Sequence, residues 1–260
     1  MTTPTSESVP PILMRKLNRR RLQSAPPPEL AMLFAAGHVC NEINALLRVA
    51  VWATLGSSQE TPTKEARAFL TNFFLTLLAG KLTEAYNVIQ KAYFGSVLSK
   101  KYSKRLNPEA SSALDRLNRY FSSTNNVHKI RNYFAFHYSP ERLADALPYI
   151  EGDLVLYMQK GHAANNLFAF AEEAATQALF REMAIQDNAQ GVPALMGELT
   201  STAKQFVIFF DGLMDAILRD LGKPVWGPKA QPIHLPNLVP FDSVSIPYFI
   251  DVSAMLSREP

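Results

Sequence analysis

The sequence predicts an all-α protein, an antiparallel helical bundle that ends in an irregular, proline-rich tail. Three observations carry this prediction. Apolar residues recur at helical spacing in long runs between residues 29 and 222, glycine, proline and capping residues punctuate those runs, and prolines crowd the last stretch from 223 to 260. With 47% hydrophobic and 19% charged residues, the chain holds enough apolar material to bury a core.

Residues 1–28 read as a flexible basic arm. They carry Arg15, Lys16, Arg19, Arg20 and Arg21 before Pro26-Pro27-Pro28, with no apolar periodicity to offset the entropy of ordering. From Glu29 to about Leu55 the residues Leu30, Leu33, Phe34, Val39, Ile43, Leu46, Leu47 and Val51 mark a long helix closed by Gly56-Ser57-Ser58. A second long helix follows Thr61-Pro62 and is expected to reach Leu98, with Gly80 as a point of irregularity. Asn107-Pro108 starts a shorter helix through Leu114, Leu117 and Phe121, and another runs from Val127 to about Tyr138, where Ser139-Pro140 stops it. The run Asp153–Met158 lacks helical periodicity and reads as a short strand or extended connection. Helices are expected again over His162–Gln190 and, after Gly191-Val192-Pro193, over Ala194–Leu221. In the tail, Trp226, Leu235, Leu238, Val239, Phe241, Ile246, Tyr248 and Phe249 favour docking onto the domain. The chain thus divides into the arm at 1–28, a helical domain at 29–222 and an extended tail at 223–260.

Several function classes fall away. The net charge of +3, from 26 Lys+Arg against 23 Asp+Glu, leaves any nucleic-acid role to local patches. The single cysteine, Cys40, cannot form an intramolecular disulfide and reads as a small buried hydrophobe. No run of about 18 uninterrupted apolar residues is present, so a soluble, cytoplasmic protein without membrane contact is expected. No Cys/His spacing suits a structural metal and no glycine-rich phosphate loop or nucleophile elbow occurs, so neither metal nor cofactor is expected. The aromatic runs Phe69, Phe73, Phe74 and Phe206, Phe209, Phe210 stand at core spacing.

The residues able to carry chemistry gather in Val127–Tyr138, where His128, Lys129, Arg131, Asn132, Tyr133, His137 and Tyr138 share about three helical turns. Arg131-Asn132, four residues and then His137 resemble the Arg-polar-x4-His signature of HEPN domains, compact all-α bundles of which many are ribonucleases. An Arg–His pair at such spacing arises roughly once by chance in a chain of this composition, so the weight rests on the polar residue after Arg and on the helical setting. The resemblance extends loosely from Glu29 to Leu221, is strongest over Gly80–Ala85 and Leu117–Tyr138, and looks most like the abortive-infection branch.

That resemblance implies a metal-independent ribonuclease acting as a defence or toxin component, with an antitoxin or defence-system partner, whose cleft is completed by a second protomer. His137 would then move protons, Arg131 would hold the charged phosphorane, and Asn132 would orient the RNA backbone or the histidine. His128 and Glu84 are candidate auxiliaries. Lys100, Lys101, Lys104 and Arg105 form the candidate RNA-guiding patch. In the toxin branch regulated by nucleotidyl transfer a tyrosine stands two places after the histidine, whereas Tyr138 follows His137 directly. On a regular helix Arg131 and His137 diverge by roughly 120°, which calls for a bend near Arg131 or a homodimer. The competing readings are a catalytically inactive HEPN-type module that binds nucleotide, RNA or protein, and a helical scaffold whose tail docks a partner.

Overall fold

The computed structural model describes residues 12–56, 58–137, 139–160, 163–185, 188–222, 231–233, 235 and 238–253. The fold is all-α, with one two-stranded sheet. In chain order it comprises β1 (Ile12–Met14), α1 (Arg19–Gln23), α2 (Pro27–Thr54), α3 (Thr61–Val88), α4 (Val97–Tyr102), α5 (Pro108–Phe121), α6 (Asn126–Ile130), α7 (Pro140–Ala144), α8 (Ala169–Glu182), α9 (Asn188–Asp220) and β2 (Gln231–Ile233).

Helices α2, α3 and α9 pack on one another, and α5 lies along α9. Their seam is apolar: Met32, Ala36 and Ile43 of α2, Leu75, Leu78 and Leu82 of α3, and Phe206, Phe209, Phe210 and Leu213 of α9 are all buried in one cluster. At about 1.5–3 kcal/mol for each large side chain removed from water, this seam is the main stabilising term. The Phe206–Phe210 run and Cys40 lie in the core, as their spacing predicts. Where α5 and α9 touch, a β-carbon on Gly212 would come 2.3 Å from the methyl of Ala110, so only glycine fits.

Several element ends differ from the sequence expectation for identifiable reasons. The second long helix stops short of Leu98: α3 passes into a π turn at Ile89–Tyr93, and the chain reverses at Gly95, whose φ of +68° favours glycine. Ser96 then caps α4 by accepting from the Leu98 N–H. Gly80 introduces no irregularity in α3; it makes room for Phe136, whose ring would meet a β-carbon at 2.4 Å. Over residues 163–168 no α-helix forms: a single 3₁₀ turn at Ala163–Asn165 gives way to Leu167, which pairs with Tyr157 of the extended 153–158 stretch through two 2.8 Å backbone bonds. The break between α8 and α9 falls at Ala184, with φ +59°, and α9 runs through Pro193 near its start. Gly191 does not interrupt that helix either; it leaves space for the ring of Phe180.

The expected flexible arm holds structure from residue 12 onward, because a strand partner far along the chain supplies the backbone bonds that its own composition lacks. Ile12, Leu13 and Met14 pair antiparallel with Ile233, Pro232 and Gln231, and α1 follows. Residues 1–11 and 223–230 lie outside the described residues. The tail docks: the Trp52 indole N–H donates to the Phe241 carbonyl at 3.1 Å, the Tyr248 hydroxyl donates to the Asn166 carbonyl at 2.6 Å, and Val252 is buried. Among the described residues α2 is the one helix long and apolar enough to cross a bilayer by length and composition alone. Glu29 and Glu42 on it are committed to partners within the bundle.

Candidate functional site

The motif sits where α6 loosens. Asn125 caps α6 by accepting from the His128 N–H at 2.9 Å, while its amide donates to the carbonyls of Tyr120 and Ser123. Val127 and Ile130 are fully buried and anchor the helix. Directly after Ile130 the backbone widens into a π turn, Arg131–Ala135, and helical structure ends there rather than at Tyr138. Such turns are rare and are frequent at functional positions. Phe136 seats its ring over Gly80, which fixes the π turn against α3.

Three of the five motif and auxiliary residues, Glu84, Arg131 and Asn132, meet around one guanidinium. Arg131 Nη1 donates to Asn132 Oδ1 at 3.2 Å, and Nη2 donates to Glu84 Oε1 at 3.4 Å. Arg131 Nε is buried and without a partner among the described residues. Asn87 donates to the other oxygen of Glu84 at 3.1 Å. His128, one turn earlier, presents Nδ1 to the Asn125 amide at 3.2 Å and packs on Phe121; burial, then the Arg131 charge, hold its pKa below the ordinary value, so the ring is neutral near pH 7. Both bonds to Arg131 are long, and Glu84 is half exposed, so the ion pair contributes little and an incoming phosphate can displace it.

His137 stands apart. It is exposed beyond the π turn, and among the described residues no hydrogen bond or ion pair joins it to Arg131, Asn132 or Glu84. Tyr138 is outside the described residues.

No family model, curated protein or solved structure matches this chain. Its functional reading rests on its own residues.

The candidate basic patch divides. Lys101 bonds Glu29 at 2.7 Å and Asp220 at 3.0 Å, and Arg105 bonds Asp220 at 2.6 Å. The Tyr102 hydroxyl donates to Glu29 at 2.9 Å, and burial pushes its pKa up to about 12. These groups tie the start of α2 and the end of α4 to the end of α9, and Glu29 is only 4% exposed. Lys100 and Lys104 are exposed and have no ion-pair partner among the described residues, so only they remain available to phosphate.

Sequence reasoning missed a cleft. It encloses about 670 Å³ between α3, the π turn and α8, and His137 lies at its edge. Phe69, Phe73, Tyr133 and Phe136 give it aromatic walls, Asn72 and Glu172 give it polar groups. Phe73, placed in the core by its spacing, is 45% exposed here. Asn72 and Glu172 stand on separate helices, α3 and α8, a hundred residues apart, so no local sequence signal joins them.

Proposed function

We propose that this protein is a metal-independent endoribonuclease whose active site forms when two copies bring their π turns together. The observation that carries the reading is the meeting of Glu84 and Asn132 on the Arg131 guanidinium, one turn after His128 and six residues before an exposed imidazole. In one protomer the clamp and the proton carrier are separate, so a second copy supplies the missing half.

Chemically, the 2′-hydroxyl of a ribose attacks the adjacent phosphorus while His137 removes its proton. The P–O bond to the 5′-oxygen breaks, and that oxygen takes a proton from the other copy's imidazolium. Arg131 holds the extra negative charge of the phosphorane bidentately, as a guanidinium does and an ammonium does not. The products are a 2′,3′-cyclic phosphate and a 5′-hydroxyl. A role in defence, with an antitoxin or other partner and a cytoplasmic setting, extends this reading.

The test compares wild type with His137→Ala on mixed RNA in EDTA, with analysis of product ends. The reading expects cyclic phosphate ends and a loss of at least about 10²-fold in the variant. Equal activity of the two proteins, or strict dependence on added Mg²⁺, overturns it. A second reading, a catalytically inactive nucleic-acid-binding module, is favoured by the Glu84–Arg131 ion pair and wins if no RNA is cleaved while phosphate-dependent binding persists.

A further inference from the structure

The cleft beside His137 has apolar walls and a polar lining in which acceptors go unanswered. Asn72 Nδ2 is committed to Thr176 at 2.9 Å, while Asn72 Oδ1 is buried with no partner. Glu172 lies one turn before Thr176 on α8, hence about 5–6 Å away along the same face. Its carboxyl has neither a hydrogen bond nor an ion pair among the described residues, and burial raises its pKa above the ordinary value. A smaller pocket of about 160 Å³ adjoins the cleft and shares Phe69, Glu172 and Thr176 with it. Glu65, Glu151, Asp153 and Glu173 line that pocket, and Glu65 Oε2 is a second buried oxygen without a partner. Gln177 donates to Glu173 and Tyr157 bonds toward Glu65, but among the described residues no cation pairs with these carboxylates. Acceptors left open beside that negative charge call for a ligand that brings N–H donors and positive charge. The aromatic walls suit such a ligand: Tyr133 already carries the Arg142 guanidinium 3.9 Å from its ring centre.

We propose that the cleft binds an amphiphilic organic amine, its apolar body lying among Phe69, Phe73, Tyr133 and Phe136 and its ammonium donating to Glu172 and Asn72 at the border of the acidic pocket. The volume fits a ligand of ordinary small-molecule size. This site is separate from the Arg131 cluster and does not depend on RNA cleavage.

Titration calorimetry on the full chain tests it with three probes: tryptamine, its neutral hydroxyl analogue tryptophol, and spermidine, which has the charge without a bulky apolar body. The proposal expects saturable tryptamine binding below about 1 mM. Tryptophol should bind at least about tenfold more weakly, because it lacks the charge-assisted hydrogen bonds. Glu172→Gln should bring tryptamine down to the tryptophol level, and Phe73→Ala, at a half-exposed position, should weaken both ligands with circular dichroism unchanged. Three results overturn the proposal: equal affinity for tryptamine and tryptophol, unchanged tryptamine binding in a folded Glu172→Gln protein, or spermidine binding as tightly as tryptamine. No saturable binding of any probe overturns it as well.

Discussion

Gly212 of α9 and Ala110 of α5 touch so closely that the helices have no room for one more carbon: a β-carbon at 212 would lie 2.3 Å from the Ala110 methyl and 3.7 Å from its Cα. Neither neighbour can rotate away, since a methyl on a helix moves only with its backbone. Gly212→Ala is expected to cost about 1–3 kcal/mol through overpacking, despite the helix preference of alanine. A thermal melt should show a fall of several degrees, and a Tm equal to wild type would show that the two helices slide apart freely.

Gly80→Ala gives the opposite expectation. Its new methyl meets the far edge of Phe136, a ring that is 52% exposed and free to swing outward. Stability should hold or rise by up to about 1 kcal/mol, because alanine is the better helix former. The displaced ring should nevertheless disturb the π turn. RNA cleavage falling while Tm holds is the expected pair of readings.

Arg131→Lys should fail to restore what Arg131→Ala loses. The guanidinium reaches Glu84 and Asn132 through two different nitrogens while keeping a third in reserve, a geometry that an ammonium cannot copy. Cleavage assays should place both variants at least about tenfold below wild type. A fully active lysine variant would reduce Arg131 to a simple point charge.

The basic patch should separate into two behaviours. Lys100→Ala and Lys104→Ala are expected to lower the salt dependence of RNA binding by about one unit of slope each with unchanged melting. Lys101→Ala removes a partner from the buried Glu29 and should lower Tm instead. Melting curves and binding isotherms at two salt concentrations distinguish them, and an unchanged Tm in Lys101→Ala contradicts the structural role.

Stability should also decline with acid through His128. Its folded pKa lies below the ordinary 6.5. Between that value and the lower folded one, the unfolded chain binds a proton that the folded chain refuses, so stability falls as pH falls across the window. Replacing His128 with Gln should flatten the difference between melts at about pH 7.5 and about pH 5.5. An identical pH response in the variant would assign the effect to other groups.

The helices that the sequence revealed are those whose signals are local. Pro27–Thr54 is read from its apolar run, and Pro108–Phe121 from Asn107, whose side chain accepts from Ala110 N–H. Where the deciding partner is distant, the pattern failed. Leu167 looks helical by its neighbours yet pairs with Tyr157, Ile12–Met14 look unstructured yet find residues 231–233, and the apolar stretch toward Leu98 hides the turn at Gly95. The same distinction holds at the site. Arg131, Asn132 and His137 were legible as a motif, whereas Asn72 and Glu172 acquire meaning only when α3 and α8 are set side by side.

The pairing of Ile12–Met14 with Gln231–Ile233 also closes the polypeptide into a loop, since residues separated by more than two hundred positions lie side by side. A pulling force applied through those two points would unzip three residue pairs before it reached any helix.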